Sequence, residues 1–168
     1  MKLLTIFLIL ITNFCISQTS LDSLCLVKIN NYRSSNSKSL FTWNNIAYKA
    51  ANHHSNYLKD STDVLTHHES VLINPKDRLA FYSGKYSYIA ENVLVVSLNF
   101  SESDKLTEIQ EKISSEVLDT WVNSPSHNKI LLSQTQLAGI STVIQKQGCG
   151  IEGYTNYTVW ATLVVYNP

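Results

Sequence analysis

The sequence predicts an α+β domain in which helices cover an antiparallel sheet. Three observations carry the prediction. Apolar residues recur at helical spacing in several segments up to residue 123, β-branched and aromatic runs are concentrated after residue 138, and the two kinds of segment do not alternate as regular βαβ units. A length of 168 residues suits one compact domain, and 44% hydrophobic residues with nine Tyr and three Trp belong to a folded chain rather than a disordered one. Lys plus Arg and Asp plus Glu number 13 each, so no basic footprint for nucleic acid exists and no such partner is expected.

The N-terminus reads as an address. Lys2 precedes an apolar run over residues 3–11, followed by polar and small residues around Cys15, Ser17 and Gln18, the pattern of a secretory signal peptide. Cleavage after Ser17 puts small residues, Cys15 and Ser17, at the inspected positions. The expected organisation is a signal peptide over 1–17 and a single domain over 18–168, in a secreted, periplasmic or cell-envelope setting. The run is shorter than the roughly 20 apolar residues that span a bilayer, so no membrane span is expected. Phe14 is too bulky for the residue that precedes a lipid-attachment cysteine.

Leu21, Cys25, Ile29 and Tyr32 form one stripe of a first helix, which ends in the polar cluster of residues 34–37. A second helix starts at Asn44, a good N-cap, and carries Ala47, Ala50, Ala51, His54, Tyr57 and Leu58, with Phe41 and Trp43 leading in. Pro75 opens a short helix through Asp77, Arg78, Leu79 and Phe81, stopped by Ser83 and Gly84. Residues 92–97 are β-branched but short, and fit a strand or a buried helical turn equally. A long helix from Thr107 to Asn123 has Ile109, Ile113, Val117 and Trp121 at four-residue spacing and ends at Ser124 and Pro125, with a short helix from Ser126. Residues 139–144 and 157–166 read as strands joined by a glycine-rich hairpin loop.

Removal of Cys15 with the signal leaves Cys25 and Cys149. In an oxidising compartment they form a disulfide, worth up to about 4 to 5 kcal/mol in the chain-entropy model, or remain buried thiols; both readings stay open. His53 and His54 sit mid-helix, where a hydrogen-bonded core or surface role fits them. His67 and His68 follow a polar turn, and His127 lies at a helix start, positions from which imidazole reaches a cleft. Glu91, between an aromatic segment and an apolar run, is a carboxylate that needs a partner.

Several motifs in order, Thr66-His67, Asp77-Arg78, Ala90-Glu91-Asn92-Val93, the segment from Val117 to Leu131 with Trp121, Ser124, Pro125, His127, Ile130 and Leu131, and Gly139-Ile140, resemble the CAP superfamily of cysteine-rich secretory proteins, antigen 5 and pathogenesis-related proteins, in its bacterial form. The resemblance covers nearly all of residues 18–168. It implies a three-layer α-β-α sandwich around a central antiparallel sheet, with a cleft lined by His67, Glu91 and His127, Asn92 as companion to Glu91, and Trp121 in the core. His68 and Glu69 lie close to the first assignment, and the family's preceding turn favours His67. Two departures stand out: Ala90 replaces the usual glycine, and the family's second acid falls at Asn123 or Ser124.

Three functions follow. The first is a secreted binding module whose cleft takes a divalent metal such as zinc through His67 and His127, or a lipid or cell-envelope ligand. The second is a metal-assisted hydrolase in which Glu91 or a histidine is the general base. Ser126 beside His127 lacks both a nucleophile elbow and an orienting acid, so no serine hydrolase is read from it, and no H-E-x-x-H helix is present. The third is a structural or interaction protein in which the His/Glu cluster is a hydrogen-bonded strut.

Overall fold

In the computed structural model, residues 18–61, 65–148 and 151–168 are described. The expected signal peptide and Cys149 lie outside them; Cys25 is a buried free thiol. The elements run α1 (Gln18–Ser35), β1 (Thr42–Trp43), α2 (Asn45–Asp60), α3 (Pro75–Phe81), β2 (Tyr88–Ser101), α4 (Leu106–Val122), α5 (Pro125–Leu131), β3 (Leu137–Gln147) and β4 (Tyr154–Asn167). The sheet order is β1-β3-β4-β2. Its three long strands are antiparallel, and the two-residue β1, which the sequence reading did not separate from the approach to α2, joins β3 in parallel.

Two helical layers enclose the sheet. Strand side chains alternate between faces, so Ala138, Ile140, Val159, Ala161, Leu163 and Val165 meet α1, α4 and α5 in the larger core, together with Leu94 and Phe100 of β2. Val164 and Tyr166 point the other way, onto Ala47, Ala50 and Ala51 of α2 and Leu79 of α3. The stripe expected on α4 is the one that packs: Ile109, Ile113, Val117 and Trp121 are all buried. Residues 92–97 belong to a 14-residue strand that is buried on both faces from Glu91 to Leu94, so the alternation that marks a half-buried strand is absent there.

Caps and small residues set the layer spacing. Asn44 starts α2 as expected, its Oδ1 accepting from the N–H groups of Ile46 at 2.9 Å and Ala47 at 3.1 Å. Opposite, Gly139 lets α2 approach β3: a Cβ there would lie 2.0 Å from the Tyr48 nitrogen and 2.4 Å from the Ala47 carbonyl carbon. Ser83, in the left-handed region at φ 67°, follows α3 at its expected stop.

A polar pin joins α1 to the sheet. Asp22 is fully buried, and its Oδ1 accepts from both the N–H and the hydroxyl of Thr142, each at 2.7 Å, while Oδ2 has no partner. Burial raises its carboxyl to about 7, against the opposing effect of the two Thr142 hydrogen bonds. The free edge of β2 is covered by side chains near its end: Lys112 Nζ donates to the Asn99 carbonyl at 3.2 Å, and Asp104 accepts from Ser101 N–H at 2.9 Å.

Two outcomes follow from this packing. Gly139→Ala should lower the stability measured by urea unfolding by about 1–3 kcal/mol, because the clash is with helix backbone rather than a side chain that can turn away. Asp22 has a folded pKa above its unfolded one, so its contribution to stability is complete below about pH 4 and is lost as pH rises through 7. Asp22→Asn should flatten that profile, and relative to it the wild type should lose at most about 4 kcal/mol between these limits.

Candidate functional site

The candidate site forms where the two helical layers meet around β2, an edge strand. Neighbouring side chains on β2 point to opposite faces. Glu91 therefore turns toward α3, and Asn92 turns toward α5, where its Nδ2 donates to the His127 carbonyl at 3.1 Å. Trp121, fully buried on α4, donates its indole N–H to the Val93 carbonyl at 3.4 Å and fixes the strand between them.

Arg78 organises one side. Its guanidinium is completely buried, and Nη2 donates to both oxygens of Glu91, at 2.8 and 2.7 Å. The same group holds the segment after α2: Nη1 donates to the Leu72 carbonyl at 3.1 Å and lies 3.2 Å from Glu69 Oε1, and Nη2 donates to the His67 carbonyl at 3.3 Å. Pro75 starts α3, and Asp77 accepts from Asn74 N–H at 2.9 Å, which sets the helix that aims Arg78 inward.

His67 stands at the surface end of this arrangement. Its side chain is 45% exposed, and its Nδ1 lies 3.0 Å from Glu91 Oε1. A carboxylate accepts only, so Nδ1 carries a proton and Nε2 is the ring nitrogen turned away from Glu91. His127 is half-buried on α5, which is itself held by the Tyr32 hydroxyl donating to Asn128 Oδ1 at 3.0 Å and by Arg33, whose Nη1 donates to the Leu131 and Ser133 carbonyls. Desolvation, and secondarily the nearby His67, hold the His127 pKa below the usual histidine value; the two imidazoles are close enough to feel each other. The His127 Nδ1 is buried without a hydrogen-bond partner.

The remaining residues of the sequence reading fall as follows. His68 is exposed, and its N–H donates to Thr66 Oγ1 at 3.0 Å. Asn123 is exposed, and Ser124 pairs its hydroxyl with Ser126 at 3.3 Å, so neither supplies a second acid. His54 is fully buried with Nδ1 2.7 Å from Glu69 Oε1 and Nε2 2.8 Å from the Thr66 carbonyl, and His53 Nε2 lies 3.1 Å from Glu69 Oε2. The sequence alone does not assign Arg78 or Glu69 to the site. The available signals were an arginine beside Leu79 in a seven-residue helix and a histidine on the alanine stripe of α2, each a buried polar group in want of a partner.

Both Glu91 oxygens are engaged by Arg78, so the carboxylate orients His67 rather than facing a metal, which leaves the two imidazoles as donors. Among the described residues no group of three or more His, Cys, Asp or Glu side chains could hold a metal ion.

A model of the family described as "Cysteine-rich secretory protein family" (CAP) matches residues 26–166. Among solved structures, an extracellular protein containing an SCP domain from Bacillus anthracis superposes with a TM-score of 0.59 at 18% identity, over 84% of this chain and 40% of that one. An outer surface protein from Borrelia burgdorferi superposes with a TM-score of 0.59 at 14% identity, over 90% of this chain and 96% of that one. At these identities the likeness is one of fold, and the chain spans less than half the length of the Bacillus protein. No curated protein matches.

The His127 environment gives a measurable outcome. An NMR titration should place its midpoint below the ordinary histidine value, and His67→Gln should raise it only part of the way back, because desolvation is the larger cause. A midpoint restored fully by His67→Gln would show that the ring is not desolvated.

Proposed function

The chain belongs to the CAP, or cysteine-rich secretory protein, family, and we propose from that premise that it is a secreted or cell-envelope binding module whose cleft takes its ligand on His67 and His127. The observation that carries this reading is the pairing of His67 Nδ1 with Glu91, itself held by Arg78, which orients the ring so that Nε2 is the nitrogen left to meet a ligand. His127, kept neutral by desolvation, supplies a second imidazole. A divalent metal such as zinc is the ligand this donor chemistry suits best, with a lipid or envelope component as the other occupant. The extracellular and outer-surface settings of the two structural neighbours support the location, as does the apolar run over residues 3–11. Among the described residues no helix is long and apolar enough to cross a membrane.

The hydrolase reading changes shape on this geometry. With both oxygens of Glu91 engaged by Arg78, its role in such a reaction is to orient His67, and the general base is His67 Nε2 acting on a water. The imidazole is the group with a free basic nitrogen at the surface of the site. Loss of hydrolysis in His67→Ala with the fold intact would support this version, and unchanged hydrolysis would remove it.

Calorimetric titration of the mature chain with zinc should show one weak site, and the double variant His67→Ala/His127→Ala should abolish it. Equal affinity in the two proteins would exclude these residues as ligands and leave the strut reading in place.

A further inference from the structure

We infer that the fully buried His54 is held as an imidazolium, the second cation of a buried quartet with Arg78, Glu69 and Glu91, and that it is a positioning residue for His67. Both of its ring nitrogens face atoms that only accept: Nδ1 lies 2.7 Å from the Glu69 carboxylate and Nε2 lies 2.8 Å from the Thr66 carbonyl. A neutral imidazole has one N–H and satisfies one of them; an imidazolium satisfies both. Charge points the same way. Glu69 and Glu91 are buried carboxylates at 7% and 5% exposure, and Arg78 alone compensates one of them. A proton on His54 brings the sum of the four to zero, as burial demands.

The groups that face the ring come from four segments, and Arg78 is the one like charge among them, itself neutralised by the carboxylates it binds. On α2 itself, the Tyr57 ring lies nearly parallel to that of His54, with centroids 6.0 Å apart and an interplanar angle of 10°. From the segment after α2 come Thr66 and Glu69, from α3 comes Arg78, bound to both carboxylates, and from β2 comes Glu91 Oε1, 3.8 Å from Nε2. His53 faces the outer oxygen of Glu69.

The consequence for the cleft is mechanical. His54 grips Thr66 and Glu69, on either side of His67 in the chain, while Glu91 Oε1 lies between His54 and the His67 Nδ1. The histidine at the surface is therefore positioned by a buried one, through a shared carboxylate and a clamped backbone. This assignment does not depend on which ligand the cleft takes.

The test uses the full mature chain, with histidine rings labelled with nitrogen-15. At about pH 7.5, where an unperturbed imidazole is neutral, NMR should show protons on both ring nitrogens of His54. His54→Gln should speed amide exchange at residues 66–69 at least tenfold, and adding Glu69→Gln should recover most of the loss, because the Arg78–Glu91 pair is then neutral on its own. A single ring proton in the wild type, or a double variant no better protected than His54→Gln, overturns the inference. The NMR result on the wild type stands even where the single variant fails to fold. Zinc titration reads the cleft and not the His54 protons, so failure of the ligand reading remains separable.

Discussion

The ion pair between Arg78 and Glu91 is the interaction on which the candidate site rests. Both side chains are withdrawn from water, where an unpaired charge is costly. Each becomes tolerable through the other, and both are then committed. Glu91 keeps its second task, accepting from His67, because Oε1 has capacity for more than one donor. Through Nη1 and Nη2 Arg78 also holds the Leu72 and His67 carbonyls and Glu69, while its Nε is buried without a partner, so one guanidinium fixes a strand, a loop and the orientation of an imidazole.

The sheet makes this possible by its order. β2 lies at an edge, so groups from both helical layers can come around it, and its alternation sends Glu91 to one layer and Asn92 to the other. His67 and His127 arrive from opposite sides of the sandwich and meet closely enough for one to affect the proton affinity of the other. The core underneath is divided accordingly: α1, α4 and α5 fill the larger half, and the alanines of α2 allow close packing on the smaller. The polar groups of the site thus sit on elements held by apolar packing that they do not themselves supply.

Much of this was legible in the sequence. The four-residue spacing in α4, the Asn44 cap, the Pro75 start of α3 and the two C-terminal strands are local signals, and the structure has each of them. β2 was ambiguous because burial on both faces over residues 91–94 erases period two, and β1 is too short to show a period at all. The positions of His67, Glu91 and His127 came from motif resemblance. Their chemical roles did not, since the pairing of Glu91 with Arg78 and of His54 with Glu69 joins residues 13 and 15 positions apart, on different elements, by geometry that no periodicity encodes.

The most direct measurement is equilibrium urea unfolding of Arg78→Met beside the wild type. A loss of about 3–5 kcal/mol is expected, because methionine replaces the volume but leaves Glu91 and Glu69 buried with one compensating cation too few. A variant within about 1 kcal/mol of the wild type would show that the carboxylates do not depend on the guanidinium, and would contradict the claim that Arg78 holds the site together.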